Sequence, residues 1–115
     1  MIGMNTILLI DNRDSRRSEI CRRIKSIPGF LARCRKGVSR GEYEKGGFGA
    51  VIVHRNNPEC DGIEGYWSNL GVPVVIFSGG FVAEMTVENG TVYVNDKVLD
   101  SVDGIRSLLE MVFTQ

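Results

Sequence analysis

The chain has 115 residues, no net formal charge, 43% hydrophobic and 24% charged residues, the make-up of one globular domain with no room for a second of ordinary size. No apolar run approaches the roughly 20 residues of a membrane span, and the opening Met1-Ile2-Gly3-Met4-Asn5 lacks the basic start of a secretory signal, so a cytoplasmic chain without membrane contact is expected. Residues 1–45 hold 11 Lys and Arg against 5 Asp and Glu while residues 46–115 hold 3 against 9, an asymmetry that can set a basic face toward an acidic partner.

Thr6-Ile7-Leu8-Leu9-Ile10 is a short apolar run of the kind buried on both faces of a parallel sheet, and it ends in Asp11-Asn12. A helix follows, capped by Asp14 or Ser15, with Ile20, Ile24 and Ile27 on its core face. Arg16, Arg17, Arg22, Arg23 and Lys25 take the solvated faces, and Pro28-Gly29 ends it. Residues 30–35 read as a second, edge strand with basic flanks. Residues 39–45 can form a short helix before the third strand, Ala50-Val51-Ile52-Val53-His54. Asp61 to Leu70 has helical spacing, with Tyr66 and Trp67 on its core face beside Ile63.

Residues 72–77 form the fourth strand, 91–94 the fifth, and roughly 99–113 the last helix, with a stripe of Val102, Ile105, Leu108, Leu109 and Val112. Strands alternating with helices imply one doubly wound parallel sheet. Only Gly79 to Gly90 separate the fourth and fifth strands. That interval is near the minimum for a parallel crossover. A short or distorted fourth helix is expected there. Alternatively, Val82 to Val87 pairs with 91–94 as a hairpin around Asn89-Gly90.

Cys21, Cys34 and Cys60 are odd in number and widely spaced, which favours free thiols over a disulfide framework or a thiolate zinc site. In open α/β sheets ligands bind at the carboxyl ends of the strands. Here those ends present Asp11 and Asn12, His54, Ser78, and Asn95 to Lys97.

Three motifs occur in order. Ile7 to Asn12 is similar to the first strand, with its acidic pair, of the receiver domains of two-component response regulators. Ala50 to His54 with Pro58 and Asp61-Gly62 resembles that family's third strand, proline and turn, and Val72 to Gly79 its fourth strand ending in a hydroxyl residue. The resemblance implies a flavodoxin-like sheet of five parallel strands in order 2-1-3-4-5. In that family two acidic residues and an acceptor aspartate hold magnesium, while a hydroxyl and a lysine bind the phosphoryl oxygens.

Carried over, Asp11 and Asn12 match the acidic pair, His54 the acceptor, Ser78 the hydroxyl, and Lys97 is the candidate lysine, although it comes late and no proline follows it. An imidazole cannot form an acyl phosphate, and two of three metal carboxylates are absent. The resemblance therefore implies a pseudo-receiver with no catalysis, cofactor or resident metal. It would work through a protein partner, whether a signalling protein or a second copy, with no direct nucleic-acid role.

His54 has three readings: a structural or partner-contacting residue, a pH-sensitive group, or a site of metal or phosphoryl chemistry. Ser78 can equally be a turn cap. A different class, a ligand-binding or enzymatic flavodoxin-like domain using the strand tips, lacks a Gly-rich phosphate loop after the first strand and a recognisable nucleophile and base.

Overall fold

In a computed structural model, residues 5–37, 47–57 and 71–114 are described. The helices expected over 39–45 and 61–70, with Tyr66 and Trp67, lie outside the described residues, as do Pro58, Cys60 and Asp61-Gly62.

Strands β1 (Thr6–Ile10), β3 (Ala50–His54) and β4 (Val74–Ser78) are buried at every position, which is why their sequences run apolar instead of alternating. They pair in parallel, with Leu8 beside Val51 and Val51 beside Val74. β2 (Leu31–Arg35) lies parallel to β1 at one edge and alternates exposed and half-buried residues. On one face of the sheet Ile7, Leu9, Ile52, Val75 and Phe77 meet Ile20 and Ile24 of helix α1 (Asp14–Lys25). The same layer takes Ile105, Leu108 and Leu109 of helix α2 (Val102–Phe113). Each such buried side chain contributes about 1.5–3 kcal/mol. Leu8, Ile10, Val51, Val53, Val74 and Ile76 form the apolar layer of the other face.

The helix starts differ from expectation in two respects. Neither Asp14 nor Ser15 caps α1; Arg13 holds that position with no side-chain cap bond. Its amide is instead bonded to Asp11 Oδ1 at 3.1 Å. α2 starts later than expected, because Asp96–Asp100 first makes a 3₁₀ turn; the Ser101 hydroxyl then accepts the Gly104 amide at 3.0 Å. A Cβ at Gly104 would collide with the carbonyl of Val98, so this close approach of turn and helix requires glycine.

The expectation of five strands with a short fourth helix is overturned. Among the described residues the sheet has six strands in the order β2-β1-β3-β4-β6-β5. β5 (Met85–Glu88) and β6 (Thr91–Asn95) form an antiparallel hairpin, with Glu88 opposite Thr91. Asn89 and Gly90 turn it at positive φ, 51° and 82°. That two-residue geometry suits the right-handed twist of the strands. β6 still pairs in parallel with β4, so five strands run together and the sixth returns along the edge. No helix among the described residues is long and apolar enough to cross a membrane.

The reading of the cysteines as free thiols is also corrected. Cys21 of α1 and Cys34 of β2 are joined as a disulfide, their Cα atoms 6.3 Å apart. Their separation of 13 residues spans a helix, a turn and a strand, and only the packing of α1 on β2 brings them together. Alkylation of the denatured chain should therefore label one of its three cysteines without reductant and all three with it. Cys34→Ser should lower the unfolding free energy by about 2–4 kcal/mol, the usual loss for a bridge of this loop size, as read by urea denaturation.

Candidate functional site

β1 ends on Asp11, whose residue is fully buried. A buried carboxylate needs a cation or several hydrogen bonds, and it finds both on the first turns of α1. Arg16 Nε donates to Oδ2 at 2.7 Å and Nη2 to Oδ1 at 2.8 Å, a bidentate pair. Oδ1 also accepts the Arg13 amide. Arg17 Nη1 donates to the Asp11 carbonyl at 2.9 Å, and the Asp11 amide donates to the Arg35 carbonyl at 3.0 Å. Burial pushes the Asp11 carboxyl upward, but the Arg16 and Arg13 hydrogen bonds and the Arg16 and His54 charges outweigh it. Its pKa falls below the ordinary 3.8.

His54 ends β3 beside Phe77 of β4. It is buried, with its ring 5.0 Å from that of Phe77 in an edge-to-face contact. The Arg16 guanidinium carbon lies 5.5 Å from the centre of the same Phe77 ring, so the aromatic ring contacts both. His54 Nδ1 accepts the Asn56 amide at 3.3 Å, which leaves the proton of the neutral imidazole on Nε2. Burial first, and the Arg16 charge second, lower its pKa from 6.5, while Asp11 and Asp96 pull the other way.

The remaining expected residues separate. Ser78 ends β4 and is buried, and its Oγ accepts the Gly80 amide at 3.0 Å, the turn-cap role. Asn12 is exposed. Lys97 is exposed on the 3₁₀ turn; its amide donates to Asn95 Oδ1 at 3.0 Å, and its side chain makes no ion pair among the described residues.

Two side chains enter the site without having been assigned to it in the sequence, Asp96 having appeared only within the strand-end stretch Asn95 to Lys97. Arg16, assigned to a solvated helix face, turns back onto Asp11. Asp96 also comes in: a Cβ on Gly79 would stand 3.0 Å from its Oδ2, and its charge is felt by both Arg16 and His54. The sequence signals available for these two were an arginine five residues after the strand-end aspartate and a carboxylate just past the end of β6.

The centre is thus an acid already neutralised by its own base. Two carboxylate oxygens accepting three N–H groups have little left for an incoming cation. Among the described residues no three His, Cys, Asp or Glu side chains are grouped to hold a metal ion. No protein-family model, no curated protein and no solved structure matches the chain significantly.

Removing one partner should cost more than removing both. Arg16→Met leaves the buried Asp11 uncompensated and should destabilise by about 3 kcal/mol, whereas adding Asp11→Leu should restore most of that. A double-mutant cycle in urea measures it.

His54 sets the pH dependence. Its folded pKa is depressed, so near pH 6.5 the unfolded chain binds a proton that the folded chain takes up only at lower pH. Its stabilising contribution is complete above that value and is lost as pH falls toward the folded pKa. The unfolding free energy should decline from pH 7.5 to about 5, and His54→Gln should flatten that slope.

Proposed function

We propose that this chain is a degenerate receiver-like domain in signal transduction, working through protein contacts without aspartyl phosphorylation and without catalysis. The observation that carries the reading is the Arg16 guanidinium seated on both oxygens of Asp11. At the position where a receiver holds a divalent cation between carboxylates, this chain supplies its own positive charge. His54 instead of a carboxylate at the end of β3 points the same way.

The parallel strands β2-β1-β3-β4-β6 follow the flavodoxin-like succession 2-1-3-4-5. The hairpin strand β5 and the segment before it stand where that succession has its fourth crossover helix. In receivers this is part of the surface that meets partners, and its remodelling supports a changed partner, either another signalling protein or a second copy of the chain.

The test is exposure to magnesium with acetyl phosphate or beryllofluoride, followed by intact mass and amide chemical shifts. The wild-type chain should gain no phosphoryl mass and show no saturable shift below about a millimolar magnesium. Asn12→Asp with His54→Asp should give at most partial incorporation, because Arg16 still neutralises Asp11. Adding Arg16→Ala should raise it further. Full incorporation by the wild type, with shifts spreading to residues 79–97, would overturn the reading.

A further inference from the structure

A closed circuit of contacts surrounds the end of β1. The Asp11 amide donates to the Arg35 carbonyl at 3.0 Å, and Arg35 directly follows Cys34 on β2. Cys34 is bonded to Cys21 of α1. One helical turn before Cys21, Arg17 returns to the Asp11 carbonyl at 2.9 Å, and Arg16 beside it holds the Asp11 carboxylate. The circuit thus runs from Asp11 through β2, across the bridge and back along α1 to Asp11. The bridge is the link that electron transfer can open and remake.

That link matters most to β2. The strand lies on β1 from Thr6 beside Leu31 to Ile10 beside Arg35, and the side chains it sets beneath α1 are Ala32 and Cys34. Leu31, Arg33 and Arg35 alternate to the other face and are exposed. β1, β3 and β4, by contrast, are buried at every position. Apolar stabilisation scales with the area removed from water, so a methyl group and a sulfur hold β2 under the helix far less firmly than those strands are held. Lys36, just past β2, stands 3.9 Å from Asp14 of α1, but both side chains are exposed, and such a pair adds little. Among the described residues the bridge is what fastens β2 to α1.

Both cysteines are half-buried, so solvent reaches the pair. We infer that Cys21–Cys34 is a reversible redox latch on β2: a dithiol reductant opens it, and the reduced chain lets β2 leave β1 while the rest of the sheet stays folded. The step is thiol–disulfide exchange. A thiolate of the reductant attacks one sulfur of the pair, and the reductant's second thiol resolves the mixed disulfide. Two electrons and the reductant's two protons pass to Cys21 and Cys34, and the reductant ends as its own disulfide. Departure of β2 takes the Arg35 carbonyl from the Asp11 amide, so the redox state is felt at the buried end of β1. Arg16 keeps its place on Asp11, because Ile20 and Ile24 still seat α1 on the sheet. The latch uses none of the phosphoryl chemistry tested above, and either can fail alone.

Amide hydrogen exchange on the whole chain, followed by NMR over a low range of urea, tests it. The reporters on β2 pairing are the amides of Asp11 and Arg33, the latter turned toward β1 like that of Leu31, which bonds to the Asn5 carbonyl. The references are Val51 and Arg55, whose amides bond to the carbonyls of Pro73 and Phe77. In excess dithiothreitol the reporters should exchange at least about tenfold ahead of the references and depend less on urea, the mark of a local opening. The gap should close in the oxidised chain, and close again when oxidised glutathione remakes the bridge. Cys21→Ser and Cys34→Ser should each show the gap without reductant, whereas Cys60→Ser should respond as the wild type does. The wild-type comparison decides even where a serine variant fails to fold. A gap of equal size in both redox states, reporters and references accelerating together on reduction, or a change that reoxidation does not reverse would overturn the inference.

Discussion

A carboxylate with no exposure to water at the end of the first strand dictates much of what surrounds it. Asp11 uses its amide toward β2, its carbonyl toward Arg17, and both side-chain oxygens toward Arg16 and the Arg13 amide. One residue therefore joins two strands to the start of a helix. Its charge could not be held there in isolation, since burying an unpaired ion costs several kcal/mol. The first helix enters at the angle that delivers a guanidinium to it, and further along the same helix Arg23 Nη1 reaches the Leu99 carbonyl at 3.1 Å. The arginines of α1 thus connect the strand tip to the turn preceding α2.

The parallel core was legible in the sequence because full burial writes itself as an apolar run. β1, β3 and β4 fall within one or two residues of the runs that named them. The hairpin was legible only as an alternative: Asn89-Gly90 is a strong local turn signal, but it competed with the expectation that a parallel neighbour follows a helix. The Cys21–Cys34 bridge and the Asp11–Arg16 pair were not legible. Both depend on which face of α1 meets the sheet, and helical periodicity places Ile20 and Ile24 inward without saying where a long arginine will reach from the rim. Lys97 was assigned by analogy of position, and the 3₁₀ turn leaves it exposed.

The disulfide also bears on where the chain resides. Disulfides persist in oxidising compartments and are uncommon in a reducing cytosol. The cytoplasmic expectation rested on the lack of a long apolar run and of a basic secretory start, not on the cysteines, two of which are paired.

The hairpin alters how the sheet can be assembled. β1 meets β3 only after the long intervening stretch of chain has been brought round, whereas β5 meets β6 across Asn89 and Gly90 alone. The entropy lost on closing a loop grows with the logarithm of its length, about 0.6 kcal/mol for each doubling. Ribbon formation at the C-terminal side therefore has a head start on the order of 2 kcal/mol over the central parallel pairing. β4 can then close upon a neighbour already in register, so the last strand of the parallel set is the one best prepared to receive the others.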